Sequence, residues 1–323
     1  MPDTRSLYPS VHALREGVFS VGLDRTFNPI APTDPPARGA LKLSIHPFLI
    51  QIPASAGQPA RKILLDAGLG EFSKNGSVKA IREHLRGHGL TELEITDVLL
   101  SHLHYDHMGG LAHRESGFWE LTFPEATIWA NRRETEKALS KALFYDDEKT
   151  EFLHFIANRA NLELLDPGEG PFPGFRSEII GGHTEFSLAW SFTLVSPDPS
   201  SHQGLSPDST ASLNSVTPKA QTFIMAGDVI GSKGALLRKY AAKYDFDAEK
   251  GMEARENLKK RALEQDLILL AYHDVDSPLM RLTGYDPKTG YEILPLGHAF
   301  QLDESVGRSE IQDPLHYRIQ DPS

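Results

Sequence analysis

The stretch "SHLHYDHMGG", residues 101–110, decides how this chain is read. Three histidines and an aspartate fall within six residues, straight after the apolar run "DVLL" (97–100). A core histidine is tolerable when its ring nitrogens are bonded. Four ligand-type side chains together need partners that a dry interior does not supply.

Working outward, the same pattern recurs. Asp66 ends the apolar run in "ILLDAGLG" (63–70), His183 lies in "IIGGHTEF" (179–186), Asp228 in "FIMAGDVI" (223–230) and His273 in "LILLAYHD" (267–274). Each follows a strand-like apolar segment, and strand ends along one sheet edge are where α/β proteins gather reactive groups. Singly, each has a bland reading. An H-x-H pair is commonly surface or core, His183 and Asp228 suit turns, and His273 suits a core. Jointly, His102, His104, Asp106, His107, His183, Asp228 and His273 form a candidate metal-ligand set. Imidazole with carboxylate suits Zn, Fe, Mn or Co rather than Mg or Ca.

Composition narrows the classes. The chain has 323 residues, a formal net charge of −11, 40% hydrophobic residues and no cysteine. Disulfides, thiolate metal sites and cysteine nucleophiles are excluded. An acidic chain without a dense Lys/Arg run repels phosphate backbones, so no nucleic-acid partner is expected. The N-terminal residues lack the apolar segment of a signal peptide, and no stretch has bilayer-spanning length. A cytoplasmic protein without a membrane partner is the expectation, with oligomeric state open.

The periodicity alternates strands and helices. "LKLSIHPFLIQI" (41–52), "ARKILLDAGLG" (60–70), "ITDVLLSHLH" (95–104), "ATIWAN" (126–131), "FSLAWSFTLVS" (186–196), "QTFIMAGDVIG" (221–231) and "DLILLAYHDV" (266–275) read as strands. "SVKAIREHLRGHGL" (77–90), "RRETEKALSKALF" (132–144), the first part of "FLHFIANRANLELLD" (152–166) and "MEARENLKKRALEQ" (252–265) read as helices. Residues 278–300 read as short strands with two glycine turns. "SKGALLRKYAAKYDFD" (232–247) reads as a helical flap with a solvated basic face. The Ser/Pro/Thr/Asp-rich segment 197–220 reads as a flexible surface insertion. Strong strands with ligand-type residues flank it, so residues 1–323 are expected to form one α/β domain.

"HLHYDH" (102–107) resembles the H-x-H-x-D-H signature of the metallo-β-lactamase superfamily. "ILLDAGLG" resembles that family's strand ending in Asp and Gly, and His183, Asp228 and His273 fall in the order of its remaining ligands. The resemblance covers roughly residues 40–275. It implies a four-layered αβ/βα sandwich with the site at the edge between two sheets. It also implies two divalent ions, zinc first, with manganese or iron as alternatives. His102, His104 and His183 would hold one ion, Asp106, His107 and His273 the other, with Asp228 bridging. Asp66 would brace the ligands, or simply form the turn that ends its strand.

The function so implied is a metal-dependent hydrolase that uses a hydroxide held by two metals to cleave a small ester or lactone, with Asp106 also moving the proton. A phosphoesterase acting on phosphotriesters or small phosphodiesters is the alternative, and a non-catalytic metal-binding sensor is a further one. Several departures from relatives sharpen this. His104 stands where flavodiiron proteins carry Glu, which argues against oxygen reduction. "HTEFSL" replaces the Pro-Gly-His context that follows the corresponding His in thioesterase- and lactonase-like members. Quorum-signal lactonases carry Tyr three residues after the bridging Asp, where this chain has Gly231. Phe118 and Trp119 are candidates for a pocket wall or for core, and Tyr105 for the cleft or the packing beneath it.

Overall fold

The computed structural model describes residues 8–55, 57–145, 147–166, 168, 170–196, 219–242 and 244–302. Two sheets face each other. The first has seven strands in the spatial order Asn161–Leu165, Thr127–Asn131, Asp97–Leu99, Arg61–Leu65, Phe48–Ile52, Ser10–Ala13 and Ala299–Gln301. The second has six: Phe175–Ile179, Leu188–Val195, Ala220–Met225, Ile268–Leu270, Leu279–Asp286 and Gly290–Gly297.

Alternation along the strands explains the layering. Ile50, Ile63, Leu65 and Leu99 point inward and meet Trp190, Phe192, Phe223, Met225 and Leu270 of the facing sheet. Leu49, Leu64, Val98 and Ile128 point outward against Ile81 and Leu85 of the Lys79–Gly87 helix and Phe152 and Ile156 of the Glu148–Arg159 helix. On the far side, Ile224, Leu269 and Met280 pack against Leu258 and Ala262 of the Ala248–Glu264 helix. The order helix–sheet–sheet–helix is the four-layered αβ/βα sandwich. Trp190, wholly buried, ties the sheets together. Its Nε1 donates to the Leu100 carbonyl at 2.9 Å, and Leu188 N donates to the Ser101 carbonyl at 2.8 Å.

Strand direction places the site. Arg61–Leu65 runs parallel to Asp97–Leu99, and Ala220–Met225 runs parallel to Ile268–Leu270. Asp66, His102, Asp228 and His273 therefore all emerge at carboxyl ends. Phe175–Ile179 reaches the same edge through two antiparallel steps and delivers His183.

Some boundaries differ from the expectation. Residues 278–300 form two eight-residue strands rather than short ones. Of the expected insertion, 197–218 lies outside the described residues. Of its last two positions, Lys219 accepts from Ser196 N and donates its own N–H to Ser196 Oγ, and Ala220 begins the strand, paired with Val195. Among the described residues, no helix is long and apolar enough to cross a membrane.

Candidate metal centre

The structure brings all seven candidate ligands together in two adjoining groups. His102, His104 and His183 form one, and Asp106, His107, Asp228 and His273 form the other, each with potential ligand atoms within 4.8 Å of one another. Asp228 faces both. Its Oδ2 lies 3.2 Å from His183 Nε2, while Oδ1 lies 2.8 Å from His273 Nε2 and 3.0 Å from His107 Nε2. Asp106 Oδ2 stands 3.6 Å from both His107 Nε2 and His273 Nε2.

The inward atoms are poorly served by hydrogen bonds. His102 Nε2 and His107 Nε2 are buried without a hydrogen-bond partner, although other polar atoms crowd around them. His104 Nδ1 and His183 Nε2, both ring nitrogens, lie 2.9 Å apart. Native interiors rarely leave such atoms unserved. A cation in each group satisfies them, because ligands need lone pairs rather than protons. The residues present therefore fit two divalent ions.

The outward nitrogens, in contrast, are bonded, which fixes how each ring points. His107 Nδ1 lies 2.6 Å from Asp66 Oδ2, His183 Nδ1 lies 2.9 Å from Asp245 Oδ1, His273 Nδ1 lies 2.9 Å from the Ser44 carbonyl, and His102 Nδ1 lies 3.0 Å from Ser101 Oγ. Asp66 also accepts from Ser101 N at 2.7 Å and from Ser101 Oγ at 2.8 Å. Both readings of Asp66 hold at once: it braces ligands, and with φ 57° it makes the left-handed turn that ends its strand. Tyr272 stacks on His107 at 4.2 Å and donates its hydroxyl to the Asp106 carbonyl at 2.7 Å.

Electrostatics follow from this packing. Burial disfavours a charged His107, but Asp106, Asp228 and Asp66 outweigh it and hold its pKa well above the ordinary value. His273 is likewise raised, its burial overcome chiefly by Asp228. His102 is pushed well below the ordinary value by burial and by His107, and His104 to about 4 by burial and by His183. Burial alone would raise Asp228, yet His273, His183 and His107 hold it well below the usual carboxylate range.

The family model described as the metallo-beta-lactamase superfamily matches residues 49–194. Over those residues the chain is similar to the metallo-β-lactamase superfamily. No curated protein matches the chain. Among solved structures, it is similar to a probable metal-dependent hydrolase from Staphylococcus aureus (17% identity, 89% of this chain and 96% of that one, TM-score 0.62). A dizinc quorum-quenching lactonase, AidC, in complex with a homoserine product is similar at 19% identity over 89% of this chain and 94% of that one, TM-score 0.62. The hydrolase AbOPH matches at 19% identity over the same shares, with TM-score 0.58. At these identities the structures establish the shared metallo-β-lactamase fold.

Against that fold, the remaining candidates separate. Phe118 is 77% exposed, whereas Trp119 is buried core against Phe72 and Phe152. Tyr105 packs beneath, its ring on Phe72 and its hydroxyl donating to the Lys149 carbonyl. Among the described residues, the expected flap over 232–247 is helical only at Lys233–Leu237. Beyond it, Phe246 N and Asp247 N donate to the His183 and Gly182 carbonyls, so the backbone is committed to the site loop instead of to a helix. Gly231, where quorum-signal lactonases carry Tyr, lies against the site: a Cβ there would stand 3.0 Å from His273 Cδ2.

Asp245 escapes sequence reasoning. No apolar strand precedes it in "KYDFD", and its partner His183 is 62 residues away. The Ser44 carbonyl and Tyr272 escape for a different reason: both lie in apolar segments, but neither is a metal-ligand type of group.

Proposed function

We propose that the chain hydrolyses a small, uncharged ester or lactone at a binuclear metal centre. The observation that carries this is Asp228, which turns one oxygen to each of two adjoining groups. His102, His104 and His183 would hold one ion, Asp106, His107 and His273 the other, and Asp228 would bridge; zinc suits the nitrogen-rich set, and manganese or iron are alternatives. When bound, such ions supply Lewis acidity toward a substrate oxygen and lower the pKa of water toward neutrality.

The protein's own residues point to water as nucleophile. Ser101, the serine within the motif, is buried with its Oγ committed to Asp66 Oδ2. No cysteine exists in the chain. Asp106, partly open to solvent, would accept a proton at Oδ2 and return it to the leaving oxygen. Asp66, Asp245 and the Ser44 carbonyl hold His107, His183 and His273 with their Nε2 atoms inward.

Charge favours an acyl substrate. A net charge of −11 opposes the approach of anions. The similar structure described as a dizinc lactonase in complex with a homoserine product agrees with a small-molecule substrate. Gly231 argues against a simple copy of the quorum-signal lactonases. The test compares catalytic efficiency on a matched lactone, an aryl ester and a bis-aryl phosphate with metallated protein. Lactone or ester turnover should lead. Phosphodiester turnover well above both would instead establish a phosphoesterase.

A further inference from the structure

We propose that Arg255 is a positioning residue for the centre, acting through Asp245 on His183 and through the Val229 carbonyl on Asp228. The inference rests on the metal-site reading above. Arg255 lies in the Ala248–Glu264 helix and is wholly buried, an expensive place for a guanidinium. Its donors are divided among three segments. Nε donates to the Val229 carbonyl at 2.7 Å, one residue past Asp228. Nη1 donates to the Tyr240 carbonyl at 2.8 Å, and the guanidinium lies over the Tyr240 ring at 4.3 Å. Nη2 lies 3.9 Å from Asp245 Oδ2.

Asp245 is just as deeply placed, with 1% side-chain exposure. Its Oδ1 is occupied by His183 Nδ1 at 2.9 Å. Asp245 Oδ2 and Arg255 Nη2 each lack a hydrogen-bond partner, so each buried charge is balanced by the other. One planar fork thus reaches the turn that carries Asp228 and the carboxylate that aims His183. A lysine has one point charge and cannot span these directions.

The helix is also packed too tightly to drift from the site loop. A Cβ on Gly182 would stand 2.4 Å from Gly251 Cα, and one on Gly251 would stand 2.9 Å from Asp245 Oδ2. Gly182 has φ 88°, which other residues rarely adopt. The glycine crossing sets the distance between helix and loop, and the Arg255 fork sets the direction of the ligands on it.

The test is zinc titration by calorimetry into the metal-free full-length chain, with urea unfolding measured alongside. The variants are Arg255→Met, Arg255→Lys, Asp245→Asn and the double variant Arg255→Met/Asp245→Asn. Loss of an outer partner of a ligating histidine typically costs about 10–100-fold in metal affinity. Asp245→Asn should weaken the zinc equivalent at the His183 group by about that factor, and Arg255→Met should weaken that equivalent and, through Asp228, the other as well. The double variant, with neither charge buried alone, should regain folding stability yet weaken zinc no more than Arg255→Met does alone. Arg255→Lys should fold but stay weakened. Should Arg255→Met fail to fold, Asp245→Asn and the double variant still give the readout. Wild-type zinc affinity in the double variant or in Arg255→Lys, or single effects on affinity that simply add, would overturn the proposal. A wild-type chain that takes up no zinc would overturn the site reading itself, which separates the two failures.

Discussion

Asp66→Asn isolates the charge of a buried carboxylate from its shape. Asp66 is 0% exposed and accepts three hydrogen bonds, from Ser101 N, Ser101 Oγ and His107 Nδ1. Asparagine keeps the volume, tolerates the φ of 57° and can still accept from Ser101 N. It loses the charged acceptor facing His107, a bond worth about 1.5–3 kcal/mol. Folding should therefore weaken by about 2 kcal/mol, not collapse. The larger effect is on tautomer. With aspartate, Nδ1–H donates, which leaves Nε2, facing Asp106, Asp228 and His273, as the nitrogen that gives up its proton to a cation. With an asparagine NH2 at that place, Nδ1 becomes the acceptor and the proton moves to Nε2, where it blocks coordination. Zinc affinity at this group should fall about 10–100-fold, while the His102 group keeps its affinity. Calorimetric zinc titration and nitrogen chemical shifts of His107 read both effects. Two equivalents bound at wild-type affinity, with His107 still protonated at Nδ1, would refute the reasoning.

Three further outcomes follow from the same geometry. His107 and His273 have raised pKa values, so in the metal-free chain they hold protons that a cation must displace; zinc affinity at their group should rise with pH through the neutral range. His102, held well below the ordinary value, and His104, at about 4, are already neutral there, so their group should respond less, and equal pH slopes for the two equivalents would contradict this. Gly231→Ala places a Cβ 3.0 Å from His273 Cδ2 at an ordinary φ of −78°, so zinc affinity at the His273 group should drop while the urea midpoint barely moves. Trp190→Phe removes the Nε1 bond to the Leu100 carbonyl and part of a fully buried ring, and should cost about 2–4 kcal/mol by urea unfolding of the metal-free chain.

The ligands were legible because each combines two local signals: an apolar run, and a metal-compatible side chain at its end. Among the supporting groups, Asp66 carries both signals, whereas Asp245 has the side chain without the apolar run. Asp245 sits in an irregular segment and becomes a site residue only when residues 244–247 fold onto Gly182 and His183. The long helix was read from Met252, whereas it begins at Ala248 behind the Asp247 cap, whose side chain accepts from Lys250 N. Gly251, a poor helix former, hid that first turn; a Cβ there would stand 2.9 Å from Asp245 Oδ2. The strand expected over 266–275 is regular only at Ile268–Leu270, because His273 N leaves the sheet to donate to the Gly231 carbonyl. Local pattern thus finds what a residue type announces, and misses what only packing assigns.

Anomalous diffraction at the zinc edge from crystals of the zinc-loaded chain tests the central claim most directly. The account predicts two peaks per chain, one within coordination distance of His102, His104 and His183 and one within coordination distance of Asp106, His107 and His273, with Asp228 touching both. A single peak, or zinc bound away from these seven side chains, would contradict it.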